Sequence, residues 1–322
     1  MLSLHTNNAA LSAQNAIGKT QANLSTAMTR LSTGYRINTA SDDAAGLQIA
    51  TRLKAQTSGM AMAMKNTQNA TSMLQTASGA FNQVTDMLVR MKDLATQAAD
   101  ASSSTEDQDA MQAEYDALGK ELYNVISNTT FGGTKLFDNA APLEADGVTP
   151  QTDADGNPLP GTGKLSSSMT FQIGASKDET MVVDVSAALK TLTESLGKAS
   201  AKFAAPAVAD PADPTAPLPE ETASDEVSKA KANATIETLT NAINEVGVVN
   251  SALGATINRL DHINSNLSNI STNTESASGR IMDTDFATES ASMTSNQMLL
   301  QAGTAMLKQS NSMSSLVMSL LQ

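Results

Sequence analysis

Apolar side chains recur at alternating three- and four-residue steps along both ends of the chain. From Ile49 the series runs Leu53, Gln56, Met60, Ala63, Thr67, Ala70, Leu74, Ala77, Phe81, Val84, Leu88, Met91, Ala95 and Ala98. That register puts one stripe on a single face for about 50 residues, a helix about 75 Å long. The run Asp100-Ala-Ser-Ser-Ser-Thr-Glu106 ends it, and Ser103 with Glu106 fits a capping box opening a second helix. There Met111, Tyr115, Leu118, Leu122 and Val125 keep the spacing until Phe131-Gly-Gly133 turns the chain.

A third helix is predicted from about Val227, with a seam of Ile236, Leu239, Ile243, Val246, Asn250, Leu253, Ile257, Leu260, Asn264 and Leu267. Asparagine at two seam positions fixes register at a cost in stability. The terminal segments repeat the pattern more weakly. Ala10, Ala13, Ile17, Thr20, Leu24, Ala27 and Leu31 form one stripe, and Leu299, Ala302, Met306, Gln309, Met313, Leu316 and Leu320 the other. In the middle, Met169, Phe171 and Ile173 alternate, as do Met181, Val183 and Val185 after Gly174 to Glu179, which reads as a β-hairpin with one buried face. Residues 139–165 read as a loop and Phe203 to Pro219 as a stiff extended linker.

Proline and charge divide the chain the same way. All nine prolines lie between Pro142 and Pro219, leaving helix-permissive flanks. Residues 138–226 hold 15 acids and 5 bases, net -10 of a total -13, whereas residues 1–60 are net +3. Such a balance repels a phosphate backbone and argues against nucleic acid. The absence of Cys excludes disulfides, thiolate metal sites and thiol nucleophiles. The first residues lack the basic and apolar runs of a cleaved signal peptide, and no stretch reaches the roughly 18 apolar residues of a membrane helix.

The terminal stripes are too light to stand alone. Only Ile17, Leu24 and Leu31 are large in the first. Each contributes roughly 1.5–3 kcal/mol when fully buried, while fixing about 30 residues of backbone costs on the order of 30–60 kcal/mol. Burial by neighbouring copies closes that gap, so the pattern favours assembly over an ordinary coiled-coil dimer.

No catalytic, cofactor or metal constellation emerges, and the chain is read as a non-enzyme. There is no phosphate loop, Ser-His-Asp set or His-Glu-x-x-His zinc motif. His5 and His262 read as surface residues, and Asp153-Ala-Asp155-Gly-Asn157 fails as a calcium loop because Pro158 and Lys164 stand where Gly and Glu are needed. Asp42-Asp43 beside Arg36 reads as helix capping ahead of a charged site.

Both ends resemble bacterial flagellin. Carrying the resemblance are Ser3-Leu-His-Thr-Asn7, Ala10-Leu-Ser-Ala-Gln-Asn15, Arg30-Leu-Ser-Thr-Gly34, Arg36-Ile-Asn38, Ala40-Ser-Asp-Asp-Ala-Ala-Gly-Leu-Gln-Ile-Ala50 and Ser72-Met-Leu-Gln-Thr-Ala77. At the other end Leu253-Gly254, Asn258-Arg259-Leu260, Arg280-Ile281, Asp283-x-Asp285-Phe286 and Gln301-Ala-Gly303 do so. The resemblance implies a mainly α fold of long antiparallel helices in coiled-coil-like bundles with a small β-hairpin, assembling into a helical filament. It implies residues 1–43 and 283–322 as the two parts of an inner coiled-coil domain. Residues 44–198, with hairpin 169–185 and loop 139–165, and the helix 227–282 would form a core domain, with 199–226 a linker. No large outer domain fits between them.

The implied function is mechanical: a secreted subunit of the flagellar filament, the propeller of swimming or swarming, exported without a cleaved signal peptide. Implied partners are other copies, the filament cap, the hook–filament junction protein, an export chaperone on the C-terminal helix and the flagellin-sensing Toll-like receptor. Nucleic acid and membrane are not among them. Leu88, Arg90, Leu94, Gln97 and Glu114 match the receptor patch, while Val89, Lys92 and Asp93 depart from it. Inner-domain assembly falls to Ile17, Leu24, Leu31, Leu299, Met306, Met313, Leu316 and Leu320, and O-glycans to Ser166, Ser167 and Ser168. The nearest alternative is a hook–filament junction protein, and a more distant one a signalling coiled coil.

Overall fold

The computed structural model describes residues 7–100, 102–137, 163–199 and 231–320, with side chains except those of Ala9 and 313–320. Six helices follow one another among these residues: α1 (Asn8–Thr33), α2 (Ala44–Ala98), α3 (Thr105–Asn128), α4 (Ser186–Ala199), α5 (Ala232–Met282) and α6 (Phe286–Leu320). Two small antiparallel pairs accompany them, β1 (Thr130–Phe131) with β2 (Thr134–Lys135), and β3 (Met169–Gln172) with β4 (Thr180–Val183). The chain forms two compact units, one of residues 1–59 with 269–322 and one of residues 60–268. The expected divisions at 43/44 and 282/283 fall where helices begin and end. The compact units divide inside α2 and α5 instead.

The second unit holds the core. The α2 stripe is buried from Met60 through Ala98 in the register read from the sequence, whereas Ile49 and Gln56, in the first unit, are exposed. α3 contributes Met111, Tyr115 and Leu122, and α5 contributes Leu239, Val246, Leu253 and Leu260. The α5 seam is wider than expected. Ala242, Val249 and Thr256 are buried, while the bulkier Ile243, Asn250 and Ile257 sit half-buried at its edge. Thr256 tolerates burial because its hydroxyl donates to the Ala252 carbonyl at 2.8 Å.

Local chemistry sets the element ends. The capping box is one residue later than predicted: the Ser104 hydroxyl accepts from the Asp107 amide, and the Asp107 carboxylate accepts from the Ser104 amide. Ser103 instead donates to the Gln97 carbonyl at 3.0 Å, closing the end of α2. After α3, Gly132 and Gly133 adopt φ of 60° and 80°, the left-handed pair that a two-residue hairpin turn requires. The β3–β4 hairpin pairs Met169 with Val183 and Phe171 with Met181, with Met181, Val183 and Val185 buried as the alternation predicted.

Two features were not anticipated. Residues 186–199, to which the sequence reading gave no element of their own, form α4, which buries Leu189, Leu192, Leu196 and Ala199 in the common core. Lys164–Ser166, assigned wholly or partly to a loop, make a short 3-10 turn in which Leu165 is buried and its amide donates to the Leu136 carbonyl at 2.9 Å. The linker 203–219, the calcium-like run 153–157 and His5 lie outside the described residues; His262 is exposed, as expected.

Phe81 on α2 and Phe137 beyond β2 meet at 4.6 Å between ring centroids, both buried. Phe81→Ala is expected to lower the unfolding free energy by roughly 3–5 kcal/mol. Leu11→Ala, at a position 58% exposed, is expected to stay within about 0.5 kcal/mol. Urea unfolding of the monomer measures both, and equal effects would contradict the placement of the core.

Candidate assembly surface

In the first unit, α1 and α6 pair through contacts that descend α6 as they climb α1, so the helices run antiparallel. Asn7 caps α1 by accepting from the Ala10 amide at 3.1 Å, and its Nδ2 donates to the Ser310 carbonyl and hydroxyl, each at 3.2 Å. Further along, Gly303 receives Ile17: a Cβ at Gly303 would stand 2.9 Å from Ile17 Cγ1. Near the far end, Arg30 lies 3.8 Å from Glu289, while Arg30 Nε is buried with no partner among the described residues.

The inward line of α1 follows the sequence reading, with Ala10, Ala13, Ile17, Thr20, Leu24 and Leu31 half-buried and Ala27 buried. The inward line of α6 does not. Met293, Asn296, Leu300, Gly303, Leu307 and Ser310 turn inward, one residue later than predicted. Leu299, Ala302, Met306 and Gln309 are exposed, Leu299 at 55% and Met306 at 67%. The reason lies in the consecutive pairs Leu299-Leu300 and Met306-Leu307: both registers satisfy the apolar repeat, and the glycine notch for Ile17 and the Asn7–Ser310 bonds belong to the observed one. Met313, Leu316 and Leu320 belong to α6, but their side chains lie outside the described residues.

α6 therefore carries two apolar lines, one against α1 and one with no occupant among the described residues. Leu11 and Met28 on α1 and Met298 on α6 are exposed as well. Among the described residues of this unit, the buried apolar side chains are only Ala27, Ile37 and Ala50.

A polar joint closes the same unit between helices. Gly34, at φ 75°, ends α1, and its carbonyl accepts from the Thr284 amide at 3.0 Å. The Arg36 amide donates to the Met282 carbonyl at 2.6 Å, and its guanidinium to the Ile281 carbonyl at 2.9 Å. Asp43 Oδ1 accepts from the Gly46 amide at 2.9 Å, capping α2 as predicted. Asp42 accepts from the amides of Thr39 and Asn38 and from the Thr39 hydroxyl, and these bonds hold its carboxyl below the usual carboxylate range. Asp285 is lowered likewise by the Thr288 hydroxyl and the Ala287 amide at the start of α6. Both groups are thus ionised when folded, and their contribution is present above the unfolded carboxylate pKa of about 3.9. It is lost only as pH falls through the lower folded value.

The receptor-matching residues separate into two layers. Leu88 and Leu94 are buried in the core of the second unit, while Arg90, Gln97 and Glu114 are exposed. Arg90 Nε and Nη2 donate to Glu114 Oε1 at 2.9 and 2.6 Å, joining α2 to α3. Of the three serines read as glycan acceptors, Ser166 is 5% exposed, whereas Ser167 and Ser168 are open to solvent.

The model of the bacterial flagellin N-terminal helical region matches residues 4–141, and that of the bacterial flagellin C-terminal helical region matches residues 236–321. Flagellin A of Vibrio cholerae is 32% identical over 382 residues, covering 100% of each chain. Polar flagellin C of Vibrio parahaemolyticus is 34% identical over 383 residues, again covering 100% of each. A solved structure described as a putative flagellar hook-associated protein of Vibrio parahaemolyticus matches with a TM-score of 0.50 and 17% identity, over 75% of this chain and 100% of that one. The last likeness concerns the fold alone.

The glycine notch is open to a direct check. Gly303→Val forces methyl groups into Ile17 and is expected to weaken α1/α6 pairing by on the order of 1–3 kcal/mol. Ile17→Ala in the same chain is expected to restore part of it. Hydrogen exchange of α1 amides reads both, and unchanged protection in the single variant would refute the notch.

Proposed function

The chain belongs to the bacterial flagellin family, and we propose that the outward faces of α1 and α6 are where its copies meet in the flagellar filament. It is a structural subunit of that filament, in a form without a large outer domain. The hook–filament junction alternative is not favoured, because the full-length relatives are flagellins and the hook-associated likeness reaches only the fold. One observation carries the assembly reading: a 35-residue helix, α6, presents an apolar line that none of the described residues of its own chain covers. Leu299 and Met306 lie on that line, Ile17, Leu24 and Leu31 hold α1 against α6, and Met313, Leu316 and Leu320 are assigned the same assembly role from the sequence repeat.

The same marginal burial suits a chain that leaves the cell unfolded, without a cleaved signal peptide, and becomes rigid at the filament tip beneath a cap protein. An amphipathic α6 suits a groove-bearing export chaperone, and the family's ends suit contact with the hook–filament junction protein. No catalytic step is assigned to any residue. For glycans, Ser167 and Ser168 are the reachable acceptors, and intact mass of the native protein reads them out.

Leu299→Asp with Met306→Asp is expected to leave the monomer's unfolding midpoint within error and to abolish salt-induced polymerisation, seen by electron microscopy. Filaments from that variant at the normal rate would end the assembly reading.

We further propose that the Arg90, Gln97 and Glu114 face is the surface read by the flagellin-sensing Toll-like receptor, with Leu88 and Leu94 fixing the backbone beneath it. An exposed ion pair contributes at most about 1 kcal/mol to stability, so Arg90→Ala is expected to spare the fold while reducing activation of receptor-bearing cells at least tenfold. Full activation by that variant would remove the proposal.

A further inference from the structure

The outer heptad line of α5 reads Ile236, Ile243, Asn250, Ile257 and Asn264, an aliphatic row with one amide inside it and a second at its end. The three isoleucines pack against the edge of the second unit's core, and Asn250 is half-buried among them. Its side chain is committed at both ends to α2. Oδ1 accepts the Ser78 hydroxyl at 2.5 Å, and Nδ2 donates to Asn82 Oδ1 at 2.9 Å. Ser78 and Asn82 stand one turn apart, so a single amide spans two successive rungs of the facing helix.

From this geometry we infer that Asn250 is the register key of the α2/α5 seam: it selects one axial alignment among several that the apolar pattern allows. Ser78 meeting Asn250 while Met60 and Ala63 cluster with Leu267 shows the two helices running antiparallel. Both seams repeat every seven residues, with Leu74, Phe81 and Leu88 on α2 and Leu239, Val246, Leu253 and Leu260 on α5. Sliding one helix past the other by a heptad, about 10.5 Å, therefore returns apolar rows to apolar rows. What the slide does not preserve is the polar match. In one direction Ile243 comes opposite Ser78 and Asn82, and in the other Ile257 does, so both polar side chains lose their partner. In the first direction Asn250 itself meets Thr71 and Gln75, so the loss falls on Ser78 and Asn82, left against Ile243; in the second it meets Thr85 and Val89. Thr85 already donates to the Phe81 carbonyl at 2.9 Å. A polar residue in an apolar seam discriminates alignments in this way while adding little to stability. Asn250 thus acts by positioning α5 rather than by holding it.

The inference concerns the isolated chain and stands or falls apart from the filament reading. The chain has no cysteine, so Gln83→Cys on α2 and Asn258→Cys on α5, both exposed positions, take two nitroxide labels without background. Pulsed dipolar spectroscopy on dilute monomer is expected to give one narrow distance with native Asn250. With Asn250→Ile, which makes the row aliphatic from Ile236 to Ile257, a second distance displaced by on the order of 10 Å is expected, from heptad-shifted chains. The urea midpoint should be equal or higher. A single native distance in the folded Asn250→Ile chain would overturn the inference. Should that variant not fold, Ser78→Ala with Asn82→Ala removes the partners from the α2 side, and a single native distance there overturns it equally.

Discussion

Burial is shared unequally between the two units, and this asymmetry governs the molecule. The second unit closes a continuous core from α2, α3, α4, α5 and the β3–β4 hairpin, with Leu74, Val84, Leu88, Val246 and Leu253 excluded from solvent altogether. The first unit has a 26-residue helix paired with a 35-residue one and, among its described residues, buries only Ala27, Ile37 and Ala50. Of these only Ala27 lies on the helix pair, and two helices of that length confine far more backbone than such burial offsets. An isolated pair of this kind is held mainly by its intrahelical hydrogen bonds, which compete on nearly equal terms with water. On the proposed assembly, a surface supplied by further copies would change that balance by covering Leu299 and Met306.

Where bulk is scarce, polar groups carry the specification. Asn7 is a cap and a cross-link at once, bonding its own helix and Ser310. The joint around Gly34, Arg36 and Thr284 ties chain segments about 250 residues apart in sequence through backbone hydrogen bonds, which survive any change of side chain other than proline at the donor positions. The hydroxyls of Thr20, Thr26, Thr29 and Thr33 each return to the carbonyl four residues earlier. A threonine satisfied in this way presents its methyl group to the outside, so a helix rich in Thr and Ala can lie against another helix without stranding donors.

The sequence made the α2 seam legible because its stripe alternates large and small residues on one face only, and every position from Met60 to Ala98 is buried accordingly. The hairpin was equally readable, since a two-residue period admits one buried face. α6 was ambiguous for a physical reason: Leu299-Leu300 and Met306-Leu307 offer the heptad template two adjacent lines, and the choice rests on Gly303 and Ile17, which lie 286 residues apart in the chain. Side-chain bulk misled the reading of α5. The close-packed positions are Ala242, Val249 and Thr256, where small residues let helices approach, while the larger isoleucines cover the edge. α4 had a legible spacing in Leu189, Leu192 and Leu196 but was obscured by the proline-rich chain beyond it. Of the candidate site, the α1 line and the Asp43 cap followed from local rules, whereas the partners of Asn7 and Asn250 required the fold.

The composition of the exposed line on α6 fits a chain that must be both soluble alone and adhesive in company. Leu299 and Met306 are interrupted by Ala302 and Gln309, so each copy shows narrow apolar strips rather than the contiguous patch that drives indiscriminate association. Strips of that kind bind weakly one at a time. Only a partner presenting a matching line along several helical turns recovers enough area to offset the loss of freedom on association. Length thus substitutes for bulk: specificity comes from the register over which the strip is read, which places a premium on helices that hold a single alignment. A subunit whose α5 could settle at either of two heptads would present its neighbours with two different surfaces, and a helical polymer accepts only one.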